Sequence, residues 1–146
     1  MEARYRLEPM REARTRDERF KRADLAGAVG DAQRVAADLD AIADRVARTR
    51  SAIAAALAGH DAALAGGAQA AAIARHDRYL CRLRCDLEAA RGELLRAEAR
   101  HRGQLDVVED ARQRLTLARA EREVIERHFA AWRTARRKLE ERRDDQ

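Results

Sequence analysis

Proline occurs once in 146 residues, at position 9, and aromatic side chains make up 3% of the chain. With so few large rings, and an apolar share dominated by alanine, the sequence lacks the material for a compact globular core. The scarcity of proline removes the commonest interruption of a helix. Two cysteines, Cys81 and Cys85, are too few for a disulfide framework and fit a reducing, cytoplasmic location. The longest uncharged stretch, Ala62 to Ala74, falls short of the about 20 residues that a bilayer span needs. At the N-terminus Glu2, Arg4, Arg6 and Glu8 break any apolar run that could serve as a leader. A globular enzyme, a secreted scaffold and a membrane-spanning helix are all poor fits to these absences.

What the chain has in abundance is charge and alanine. Charged residues make up 39% of it, with a formal net charge of +5 and an isoelectric point near 10.0. The two signs are interleaved, as in Arg11-Glu12-Ala13-Arg14-Thr15-Arg16-Asp17-Glu18-Arg19. Nucleic-acid binders gather their basic residues on one stripe or tail, so this pattern argues against a nucleic-acid partner. Ala, Glu, Arg and Leu together favour long helices that bury a narrow stripe.

Two such stripes are present. In the first half, Leu25, Ala28, Ala32, Val35, Leu39, Ile42, Val46, Thr49, Ile53 and Ala56 alternate steps of three and four, the a/d pattern of a left-handed coiled coil. Upstream, the same register would turn Lys21, Glu18 and Arg14 inward. Met10, Ala13, Phe20 and Ala23 instead suggest a seam displaced by one position there. In the second half the alternation runs unbroken from Ile73, His76 and Leu80 through Leu87, Leu94, Val108 and Leu115 to Ile125, Phe129, Trp132, Arg136 and Leu139.

Between the stripes lie Gly59-His60-Asp61 and Gly66-Gly67, the expected helix-ending punctuation. The sequence therefore predicts an all-α fold, two long helices forming an antiparallel coiled-coil hairpin: helix 1 over about 9–58, a turn at 59–67, and helix 2 over about 68–143. Centring the turn in that window sets Ile42 opposite Leu87, Leu39 opposite Ala90, Val35 opposite Leu94 and Val46 opposite Leu83. Pro9 then lies opposite about Ala120, and helix 2 overhangs its partner by roughly 25 residues, about 35 Å at 1.5 Å each. Phe129 and Trp132 lie in this overhang among arginines. Trp and Arg are the types enriched at binding hot spots, so Phe129, Trp132, Arg133, Arg136, Arg137 and Lys138 form the expected partner-binding site.

Little else suggests chemistry. His60, His76, His101 and His128 have no metal-ligand spacing, and seam histidines more often set register. Cys81 and Cys85, four apart on the outer face of helix 2, could share a metal, but a tetrahedral site wants four ligands and none is near in sequence. They read as free thiols. There is no Gly-rich phosphate loop and no Ser/His/Asp arrangement, so no catalytic, cofactor or metal site is expected.

Three segments resemble a known family. Tyr5-Arg6-Leu7-Glu8-Pro9 is similar to the opening of the FliJ/YscO-type stalk proteins of type III export. Arg78-Tyr79-Leu80-Cys81-Arg82-Leu83 resembles the start of that family's second helix. Ile125-Glu126-Arg127, followed by Trp132-Arg133 and Arg136-Arg137-Lys138-Leu139-Glu140, resembles its basic end. The resemblance implies a two-helix coiled coil whose termini insert into a hexameric export ATPase. It also implies contact with the export gate in the membrane and, in some members, with escort chaperones. The ending Asp144-Asp145-Gln146 departs from the Asp-Glu close of many flagellar members, leaving flagellum and injectisome both open. An escort chaperone for export cargo, or a basic nucleic-acid-binding scaffold, is the alternative.

Overall fold

Residues 4–144 are described by the computed structural model, and two helices account for nearly all of them. Helix α1 spans Glu8–Ala65 and helix α2 spans Ala70–Asp144. They run antiparallel, as the short connection between Ala65 and Ala70 requires. Pro9 sits in the first turn of α1, where its missing N–H costs nothing, beside the acidic Glu8. The last turn of α2 carries Arg142 and Arg143, the sign that suits a helix C-terminus.

The turn comes later than the sequence predicts. Helix α1 runs through Gly59 and ends at Gly66-Gly67, and Gly67 has a φ of 71°. Ala68 N–H donates to the Ala63 carbonyl at 3.0 Å and Gly67 N–H to the Leu64 carbonyl at 3.2 Å. This pair of bonds is the Schellman closure, which needs a left-handed residue and selects glycine. Gly59 has an ordinary helical backbone, with His76 Cε1 3.9 Å from the place a Cβ would occupy. The glycine pair, not the earlier glycine, stops the helix.

Contacts group the chain into two compact units. In the unit Asp31–Leu105, Val46 is buried together with Leu87 and Ala90, and Ile53 and Leu94 pack against them. Leu80 and Ala97 are buried as well. Arg45 of α1 pairs with Glu93 of α2, and the His60 and His76 rings meet edge-to-face with 6.1 Å between centroids. The expected pairing of Val46 with Leu83 is therefore displaced by about one heptad. Because the stripes repeat every seven residues, sliding one helix by a heptad turns the same side chains inward. Every seam residue expected from Leu25 to Ala56 on α1 is buried or half-buried, as is every one from Ile73 to Arg136 on α2.

The other unit combines the described residues up to Gly30 with those from Asp106 onward. Its apolar layers come mainly from α2, where Val108, Ala111, Leu115, Ala118 and Ile125 are buried. The seam of α1 does not slip here. Arg11, Arg14 and Lys21 are half-buried and Glu18 is 5% exposed, whereas Met10 and Phe20 are 49% and 73% exposed. The polar residues hold the interior stripe because α2 supplies partners of opposite charge. Arg11 bonds to Glu126 at 2.8 Å and Arg14 to Glu121 at 2.6 Å. Glu18 is ion-paired with Arg22, Arg119 and Arg122 together.

Candidate docking site near the end of α2

Helix α2 presents His128, Phe129 and Trp132 on adjoining turns, since residues three and four apart lie on one face. Phe129 and Trp132 stack at 5.8 Å between centroids with an interplanar angle of 20°. This apolar platform is not bare. Tyr5, in the segment that leads into α1, lies 5.0 Å from Phe129 edge-on and 5.2 Å from Trp132. Tyr5 is 7% exposed, and its hydroxyl is 2.7 Å from His128 Nδ1. Burial raises the pKa of the phenol, and the nearby Glu8 carboxylate pushes it the same way, so the hydroxyl keeps its proton.

The register explains this cover and corrects the expected overhang. With α1 displaced by a heptad toward the end of α2, Arg11 lies beside Glu126, and Tyr5 falls over Trp132. The uncovered part of α2 is shorter than roughly 25 residues, and Phe129 and Trp132 are half-buried within the hairpin. Beyond them α2 continues to Asp144, with Leu139 58% exposed.

Guanidinium groups surround the rings. Arg11 lies over Phe129 at 4.2 Å from the ring centre, and Arg133 approaches the same ring at 5.8 Å. Arg136 stands 5.8 Å from the Trp132 centre and bonds to Glu140 at 2.8 Å. Cations this close to a ring face are attracted by its quadrupole. Hydrogen bonding to Glu126 raises the pKa of Arg11 further, against a smaller desolvation effect, so its charge persists. Arg133, Arg137 and Lys138 are exposed. Of the six residues expected to bind a partner, Phe129, Trp132, Arg133 and Arg136 therefore form one cluster, and Arg137 lines a shallow surface hollow with Arg133, Phe129 and Arg11. Lys138, the next residue after Arg137, is exposed.

Sequence reasoning missed Tyr5 as part of this cluster, along with Arg11 and His128. The signal was present in the Tyr-Arg-Leu opening, but the misplaced turn set Tyr5 about a heptad short of Phe129. Cys81 and Cys85 are exposed and unbonded to each other. No helix among the described residues is long and apolar enough to cross a membrane.

No family model matches the sequence, and no curated protein matches it. Among solved structures, one from Chlamydia trachomatis, CT670, described as a candidate YscO homologue, superposes with a TM-score of 0.83. The match covers 98% of this chain and 88% of that one at 17% identity. At that identity the likeness establishes a shared fold: the two-helix hairpin found in CT670.

Proposed function

We propose that this chain is a non-enzymatic stalk or adaptor of a type III protein export apparatus, working in the cytoplasm. Its termini enter the centre of a hexameric export ATPase, and the hairpin links that ring to the export gate in the membrane. The observation that carries this reading is the extent of the likeness to CT670, which takes in both helices and the turn. The family resemblance of the Tyr5–Pro9 opening and the basic end of α2 points the same way. The cluster at Phe129 and Trp132, with exposed Arg133, Arg137 and Lys138, supplies aromatic anchors and positive charge for acidic groups lining such a ring.

The hairpin has no need of chemistry of its own in this role. Two helices joined along a seam can transmit displacement between two partners that each grip one end. The test is co-purification and titration with a purified hexameric export ATPase. The stalk reading expects saturable binding at fewer than six hairpins per ring, and stimulation of ATP hydrolysis. Absence of binding to that ring, with cargo peptide bound instead, would favour the escort-chaperone alternative.

A further inference from the structure

Tyr5 is the most buried aromatic residue of the chain, yet it stands outside both helices. It precedes α1 and is tethered by a bond from Glu8 N–H to its carbonyl at 3.2 Å, with Arg11 N–H to Leu7 the next bond along at 2.9 Å. Its neighbours Arg4 and Arg6 are exposed. What holds the ring is the platform on α2, through Phe129, Trp132 and the hydroxyl contact to His128. Segments outside a helix, next to its terminus, open at lower cost than a helix interior. Lifting Tyr5 breaks no bond within α1 beyond its first turn.

We propose that the Tyr5 segment is an autoinhibitory clasp on the docking site, covering Phe129 and Trp132 until a partner displaces it. The inference rests on the stalk reading for the identity of the partner. Three features set Tyr5 apart from an ordinary seam layer. Beyond the half-buried Leu7, the next interior positions are charged, at Arg11, Arg14 and Glu18, so apolar backing for the clasp from its own side is limited to one residue. The rings it covers carry further guanidinium groups, from Arg11, Arg133 and Arg136, with Arg11 anchored independently of Tyr5 by its bond to Glu126 and Arg136 by its bond to Glu140. The surface uncovered is a stacked aromatic pair that a second protein can occupy in place of the phenol ring. A site that must be opened before it binds has its affinity reduced by the fraction of molecules that are open.

Trp132 is the sole tryptophan, so its fluorescence reports the clasp directly. Tyr5→Ala is expected to raise the quenching of Trp132 by acrylamide while circular dichroism stays unchanged. The same variant is expected to bind the hexameric export ATPase about tenfold tighter than the parent chain, by removing the closed population. A locked form, Tyr5→Cys with His128→Cys after replacement of Cys81 and Cys85 by serine, is expected to bind weakly when oxidised and regain affinity on reduction. Parent binding with weaker or equal affinity in Tyr5→Ala would overturn the clasp and make Tyr5 a part of the docking surface or a simple core ring. Binding by none of the variants, open or reduced, would instead remove the stalk reading, and unchanged quenching in Tyr5→Ala would overturn the clasp on its own.

Discussion

Glu18 of α1 lies in the interior stripe with its carboxylate against the Arg122 guanidinium of α2. Arg22 bonds to the same carboxylate at 2.8 Å and Arg119 stands at 3.6 Å. A lone carboxylate in a seam is costly, and three cations convert it into a device that specifies which residues of α2 it must meet. Burial pushes its pKa up, but hydrogen bonds from Arg122 and Arg22 outweigh this and hold it below the ordinary value of 4.5.

The pH dependence follows from that direction. Between the ordinary and the lowered value the unfolded chain binds the proton and the folded chain does not. The contribution of Glu18 is thus complete above about pH 4.5 and is lost as pH falls through the lowered folded value. Thermal melts from pH 7 to pH 3 should show less acid loss in Glu18→Gln than in the parent chain, with a lower melting temperature at pH 7. Parallel curves for the two proteins would show that the carboxylate is not linked to folding.

Register is open to direct chemistry. With Cys81 and Cys85 changed to serine, Val46→Cys with Ala90→Cys should oxidise readily to a disulfide. Val46→Cys with Leu83→Cys should not. Preferential cross-linking of the second pair would restore the register that a turn centred before Gly66 implies.

The glycines separate by sign. Gly67→Ala forces an L side chain into the left-handed region and should destabilise the hairpin by about 1 kcal/mol. Gly27→Ala and Gly103→Ala lie in helix, with nothing within 4 Å of the added methyl, and should each stabilise it by about 0.5–1 kcal/mol. Chemical denaturation measures all three, and equal shifts of one sign would contradict the turn geometry.

At the seam, Leu87→Asp removes a side chain packed with Val46 and leaves an unpaired carboxylate, a loss of several kcal/mol. Arg91→Ala breaks an exposed pair with Glu88 and should cost about 0.5 kcal/mol or less. Similar melting shifts would mean the stripe has been assigned to the wrong face.

The stripes themselves were legible because period is a local property, and each position from Leu25 to Ala56 and from Ile73 to Arg136 reads inward without knowledge of its partner. Register was not. A heptad slide preserves every inward position, so the choice fell to the turn, where Gly59 and Gly66-Gly67 compete in sequence and only the Schellman geometry at Gly67 decides. The charged end was misread for a related reason. Met10 and Phe20 look like seam residues by hydrophobicity, while Arg11, Arg14 and Glu18 become acceptable inside only once Glu121, Glu126, Arg119 and Arg122 are known to face them. The Phe129–Trp132 pair was legible as a candidate, but its cover, Tyr5, depended on the register.

In the proposed function the end of α2 docks into an export ATPase. The most direct measurement is titration of purified Trp132→Ala/Arg133→Glu/Arg137→Glu against the hexameric enzyme, with circular dichroism in parallel. Losing an aromatic anchor typically costs about 2 kcal/mol or more, and reversing two exposed charges adds repulsion with acidic partner groups. The prediction is a loss of affinity of at least about 30-fold, the equivalent of 2 kcal/mol, in a variant that keeps its helicity. Affinity equal to that of the parent chain, in a variant that remains folded, would contradict it.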